Sequence, residues 1–433
     1  MAVINPARSG SRLRALFATL AAGALLATAA CGGGGGDSSE DPDAKVTLRF
    51  SWWGSADRAK STQEALDLFT KKNPNITIKT SYSAFKPYWE KLATETAGGN
   101  APDVFQMDRA YLREYADRNV LAELDKGVTD QVADSVKESG VVEDKLYAVP
   151  MGQTTFVMVY DPAAYQKAGV KPPAKGWTWQ DYLNNGKKLT QSSGGKASGL
   201  TDLGWQWESF ETYLLQSDTQ LYTEEGKLGF TKDDLKKYLT MIDNLRKQKA
   251  STPAKVTATI DGSIENMPMG KRLSYTENSW DSTVASYYEV LGKPVGLAPY
   301  PTDTGKLGAY AKPSMFLSIS EKTKVRSAAD KLVEFLVNDP EAAAILGVDR
   351  GLPPNTANRD KVGATLTGAQ KAVYEYEKSI ESDLVPAPPA PPKGNSALKD
   401  YWQQMNEEIA FGKLTVDKAV DEFFTRAEQE LSA

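Results

Sequence analysis

The chain has no histidine and only one cysteine in 433 residues. Without histidine, a Ser-His-Asp triad, a Cys-His pair and a histidine-rich zinc site are excluded. With one thiol there is no internal disulfide, which a chain this long can do without even in an oxidising compartment because its cores suffice. Beyond the first thirty residues no apolar run approaches the eighteen needed for a transmembrane helix. Basic residues are outnumbered by acidic ones, 51 to 56, and the excess grows if an N-terminal segment holding three arginines and no acid is removed. That balance disfavours nucleic-acid binding, and nothing in the composition calls for a metal or cofactor.

The N-terminus has a pattern of its own. Arg8, Arg12 and Arg14 precede an alanine-rich apolar run, Ala15 to Ala30, too short to span a bilayer comfortably. This is the layout of a signal peptide. The run ends in Thr28, Ala29, Ala30 and Cys31, which resembles a bacterial lipobox with threonine where leucine is usual. Residues 1–30 are therefore expected to be a lipoprotein signal peptide and Cys31 the lipidated residue, anchoring the protein to the outer face of the bacterial cell membrane. The glycine run Gly32 to Gly36 and the polar stretch after it give 31–44 the character of a flexible tether.

The chain beyond the tether is too long for one core and predicts two lobes. Val46 to Phe50 alternates as a strand, Arg58 to Lys72 places Ala65, Leu66 and Phe69 on one helical face, and Asn73-Pro74-Asn75 breaks the helix. Ile76 to Tyr82 alternates again, Lys86 to Thr96 is helical, and Val104 to Met107 is a short apolar strand. This βαβα start implies a parallel sheet flanked by helices. Further on, Thr178 and Asp181 form a capping box, and Trp177 and Trp179 beside it are read as packing residues. Two amphipathic helices close the chain, one carrying Trp402, Met405 and Ile409, the other Val420, Phe423 and Ala427. The proline-rich stretch Val385 to Lys393 before them reads as an extended surface connection.

Several segments, taken in order, carry a family resemblance: Ser51-Trp52-Trp53-Gly54, Asn73-Pro74-Asn75-Ile76, Gly98 to Val104, Gln106 to Arg109, Tyr147 to Pro150, Val159 to Asp161, Met269 to Arg272, Tyr275 to Trp280, Pro299 to Pro301 and Arg350 to Asn355. Together they resemble the extracellular solute-binding proteins of family 1, the maltose-binding-protein-like group that serves carbohydrate ABC importers. The resemblance covers nearly all of the mature chain. It implies an α/β, two-lobed periplasmic-binding-protein fold with a hinge between the lobes and the ligand cleft at their interface. The N-terminal lobe is expected to combine 45–151 with 312–355, and the C-terminal lobe 152–311 with 356–433. The implied partners are a carbohydrate and the permease subunits of an ABC importer, with the protein acting as a monomer and not as an enzyme.

A sugar presents apolar C–H faces and a rim of hydroxyls, so its site needs flat aromatic platforms beside carboxylates, amides or guanidinium groups. Of the nine tryptophans, Trp52, Trp53, Trp205, Trp207 and Trp280 fall at strand-end or loop positions. Trp52 and Trp53 are adjacent, so in an extended strand one faces the cleft, expected to be Trp53, while the other packs. Trp205 and Trp207 would share a face if extended and form a joint platform. Asp108 lies at the carboxyl edge of the sheet, where open α/β folds place their ligands, with Gln106 before it and Arg109 after it to hold it in place. Asn278, Glu208, Gln153, Arg350 and Tyr82 complete the expected ligand set, with an inter-lobe ion pair the other reading of Arg350. Two other functions stay open: a binding protein of the same fold for a phosphodiester or polyamine, and an exported glycoside hydrolase pairing Asp108 with Glu277 or Glu208.

Overall fold

The structure is a computed structural model that describes residues 45–432; the signal-peptide, tether and Cys31 readings lie outside these residues. The first strand, β1 (Val46–Trp53), is followed by helix α1 (Ala56–Lys72), strand β2 (Ile76–Ser83), helix α2 (Phe85–Ala97) and strand β3 (Val104–Met107). As the apolar spacing predicts, β1 pairs in parallel with β2 from Val46↔Ile76 to Trp53↔Ser83, and with β3 at Phe50↔Val104. Ser55 caps α1 by accepting from the Arg58 amide, and α1 buries Ala65, Leu66 and Phe69. Helix α3 (Arg109–Asp117) starts directly off β3.

The long strand β4 (Val149–Tyr160) changes partners along its length. Its first half pairs antiparallel with the later strand Ala311–Ile319, from Val149↔Leu317 to Thr155↔Ala311. Its second half pairs with β5 (Thr276–Trp280) and β6 (Gly296–Ala298). With Ala311–Ile319 as β7, the sheet order is β2-β1-β3-β7-β4-β5, and β6 lies off that path beside β4.

The cores follow this change of partners. One cluster holds Leu48, Phe50, Phe105, Val149, Met151, Phe316 and Leu332. Beyond Met151, β4 enters two others: Phe156 and Met158 join Phe210, Tyr238, Trp402 and Phe423 on one face, whereas Val157 and Val159 join Met269, Tyr287 and Ile380 on the other. This is the two-residue alternation of a strand covered on both sides. The capping box opens helix α4 (Trp179–Ser192), with Thr178 Oγ1 accepting from the Asp181 amide. Trp177 and Trp179 are buried beside it. Among the described residues no helix is long and apolar enough to cross a membrane.

Where β4 leaves the first core its register shifts at Gly152. Gln153 exchanges two backbone hydrogen bonds with Leu352 there, its amide donating at 2.9 Å and its carbonyl accepting at 3.2 Å. A Cβ at Gly152 would lie 1.8 Å from the Arg350 carbonyl oxygen, a backbone atom that cannot swing aside. Gly152→Ala is therefore expected to destabilise the protein by about 1–3 kcal/mol, the usual cost of overpacking, measured as a lower denaturation midpoint in urea. An unchanged midpoint would mean that the loop around Arg350 yields freely.

Candidate functional site

A cavity of about 110 Å3 opens where the carboxyl end of β3 meets the second core, lined by Asp108, Arg109, Trp207, Glu208, Glu211, Tyr222, Trp280, Tyr310, Lys312, Lys399 and the prolines 388, 389 and 391. Asp108 is there because it ends a strand and starts a helix. Its Oδ1 caps α3 by accepting from the Ala110 amide at 2.8 Å, which fixes the carboxylate at the cavity wall.

Arg109 does not brace Asp108 as expected. Its Nη2 donates to the carbonyls of Pro388 and Pro389 at 2.5 and 2.7 Å, and its guanidinium lies over the Tyr310 ring. The proline-rich stretch is thus pinned as a wall of the site and is more than a surface connection.

The facing wall is helix α5 (Trp207–Leu215), whose first turn and a half presents Trp207, Glu208 and Glu211. Glu208 accepts a hydrogen bond from Lys399 at 2.7 Å. Glu211 accepts from the Tyr310 hydroxyl at 2.7 Å; burial pushes its pKa up, and the nearby Arg109 partly offsets this. Trp280, at the end of β5, is held between Phe156, 4.9 Å away, and the ammonium of Lys312, 4.5 Å over its ring. Burial pulls the Lys312 pKa down, and Asp108 and Glu208 partly restore it.

Of the residues read from the sequence, Asp108, Trp207, Glu208 and Trp280 meet at this cavity. Trp280 lines it with the Lys312 ammonium 4.5 Å from its ring centroid. The others lie elsewhere. Trp53 is 8% exposed and packs on Phe85, Tyr88 and Trp89. Trp52 is buried and stacks on Tyr82, which is half exposed. Gln106 is fully buried and donates to the Trp53 carbonyl.

Arg350 is an internal brace of the first core, donating to Thr62 Oγ1 at 2.7 Å and pairing with Asp349. Gln153 donates to Glu377 at 2.6 Å beside the strand crossing and lines a different cavity. Asn278 is fully buried, its amide donating to Gln206 and Ser209.

Trp205 and Trp207 do not form a joint platform. Trp205 ends a 3-10 turn (Leu203–Trp205) and Trp207 begins α5, so the two-residue alternation of a strand does not apply. Trp205 donates to Asn278 and lines a separate cavity beside Arg246, while the Trp207 ring rests on Trp402. Glu277, the acid considered for a hydrolase pair, is buried with its Oε2 accepting from the Met269 amide at 2.9 Å.

Sequence reasoning missed Glu211, Tyr310, Lys312, Lys399 and the proline wall. The helical spacing from Glu208 could have flagged Glu211. The rest come together through chain segments too far apart for any local pattern to join.

A family model described as bacterial extracellular solute-binding protein matches residues 64–369, and the chain belongs to that family. A solved family 1 extracellular solute-binding protein from Alicyclobacillus acidocaldarius is 33% identical, with a TM-score of 0.78 over 90% of this chain and 99% of that one. The sn-glycerol-3-phosphate-binding periplasmic protein UgpB of Escherichia coli is 24% identical over 437 residues, spanning 90% of this chain and 94% of that protein. A periplasmic oligogalacturonide-binding protein from Yersinia enterocolitica shares the fold at 22% identity, with a TM-score of 0.77 over 89% of this chain and 99% of that one. The protein is thus an extracellular solute-binding component of an ABC transporter with the two-lobed periplasmic-binding-protein fold, in a family that binds solutes and does not transform them.

Proposed function

We propose that the solute is a carbohydrate, captured by closure of the two lobes over the Asp108 cavity and delivered to the permease of an ABC importer by a protein tethered through a lipid on Cys31. The lobes are 45–151 with 312–355, and 152–311 with 356–433. The observation that carries this reading is the convergence, from different parts of the chain, of the aromatic rings of Trp207, Tyr222, Trp280 and Tyr310 with the carboxylates of Asp108 and Glu208 around one cavity. Rings suit the apolar faces of a sugar and carboxylates its hydroxyl rim. The oligogalacturonide-binding neighbour supports the same class. At about 110 Å3 the cavity is smaller than the ~150 Å3 void that admits benzene, so the lobes part to let a sugar ring in and close behind it.

A hydrogen bond to a charged group contributes roughly 1.5–3 kcal/mol. Three or four of these, together with ring contact and after the loss to ordering, reach about the −8 kcal/mol of a micromolar complex. A thermal-shift and tryptophan-fluorescence screen against mono- to tetrasaccharides, followed by calorimetry, tests this. Asp108→Ala and Trp280→Ala are each expected to weaken the best hit at least about tenfold, or about 1.4 kcal/mol. Full affinity in both variants would place the site elsewhere.

A further inference from the structure

Every charged group on the cavity wall but one has a partner within the protein. Glu208 has Lys399, Arg109 has the carbonyls of Pro388 and Pro389, Glu211 has the Tyr310 hydroxyl, and Asp108 has the Ala110 amide. Lys312 is the exception. Among the described residues no oxygen makes a hydrogen bond or ion pair with its ammonium, and its close contact is the face of Trp280 at 4.5 Å. A lysine ammonium carries three donors and no acceptor; here, on a partly buried side chain, it feels the charges of Asp108 and Glu208 but hydrogen-bonds to neither, and contact with an indole face satisfies none of the three donors.

The fold gives no stability reason for the charge at this position. Lys312 lies on β7, partly buried between the buried Ala311 and Pro313, and a neutral side chain of the same length would cover Trp280 as well.

We propose that Lys312 determines the specificity of this cleft, and that the saccharide it selects carries an oxyanion, a carboxylate or a phosphate ester, seated against its ammonium. This rests on the carbohydrate reading above and narrows it. A neutral hydroxyl satisfies a donor but brings no charge; an oxyanion brings both and makes the stronger, charge-assisted hydrogen bond. Asp108 and Glu208 lie close enough to help keep the lysine charged although burial opposes it. With one Asp108 oxygen committed to the helix cap, the other is available for hydroxyls on the same sugar. The division of labour is a cation for the acid group and an anion for the hydroxyl rim.

The test is a set of matched ligands on the intact mature protein: glucose, glucuronate and glucose 6-phosphate, the galactose equivalents, and the corresponding di- and trisaccharides with and without a uronate. Thermal shift screens them and calorimetry measures the hits. The expected result is that the best acidic ligand binds at least tenfold tighter than its neutral counterpart, with the uronate and phosphate arms distinguishing the two kinds of oxyanion. Lys312→Met should bring that ratio close to one while leaving the melting temperature of the free protein close to that of wild type, because the ammonium makes no hydrogen bond or ion pair that the variant would lose.

A neutral sugar binding as tightly as its acidic partner would overturn the proposal and leave the carbohydrate reading standing. So would a Lys312→Met variant that keeps the acidic preference. Binding of none of the saccharides, neutral or acidic, would overturn both. Because the wild-type ratio is itself decisive, the proposal remains falsifiable even if the variant does not fold.

Discussion

Between pH 5 and pH 8 the folded protein should lose stability through Glu277, and Glu277→Gln should remove that loss. The side chain is fully buried, and burial raises its pKa from 4.5 to about 8, opposed in part by the hydrogen bond from the Met269 amide. Below pH 4.5 the folded and unfolded chains both hold the proton and the group contributes no difference. From there up to about 8 the unfolded chain releases its proton while the folded one keeps it, which favours unfolding increasingly with pH. Above 8 the folded carboxyl ionises in place and the full difference is reached, about 5 kcal/mol at 1.36 kcal/mol per unit.

Asp281 and Glu377 act in the same direction. Both are buried, their carboxyls face one another at the strand crossing, and burial raises both pKa values. Urea denaturation of wild type and Glu277→Gln at pH 5 and pH 8 measures the effect. The amide variant should gain several kcal/mol on wild type at the higher pH and little at the lower. Equal differences at both values would show that Glu277 titrates normally.

A comparable effect is expected from Asp202→Ala, which should cost about 3–5 kcal/mol, the range for leaving one member of a buried ion pair alone. Asp202 is fully buried, takes a forked pair of hydrogen bonds from Arg246 at 2.5 and 2.9 Å, and accepts from the Gly204 amide at 2.8 Å. Removing it strands a guanidinium beneath helix α6 (Asn395–Ala410), near Asn406, and releases the turn that leads into α5. Arg246→Met combined with Asp202→Ala should recover part of the loss, because the cation is then gone as well. If the double variant is worse than the additive sum, the pair is not the source of the cost.

The fold could be read from the sequence where one physical signal dominated. Alternation gave β1, β2 and β3, helical spacing gave α1, and hydroxyl and carboxylate chemistry gave the capping box at Thr178. The same alternation misled at Trp53. It assigns one face of a strand to the core and the other to solvent, but β1 lies between two strands and its last four residues are buried on both faces. Gln106 fails for the same reason on β3. Asp108 lies at the carboxyl edge of the sheet and on the cavity wall, as read, because the end of a parallel strand is a place in the fold as well as a point in the sequence. Arg350, read as a ligand contact or an inter-lobe pair, is buried and committed to Thr62, Gln106 and the adjacent Asp349.

The C-terminal helices give the second core an order of assembly. Trp402 of α6 and Phe423 of the last helix, α7 (Val416–Leu431), are the rings on which Trp207 rests, and Lys399 of α6 holds Glu208. A nascent chain that has not yet delivered these residues has the first half of that core with nothing to pack on it. The wall of the site that carries Trp207 and Glu208 is therefore completed only when these distant segments of the chain have come together.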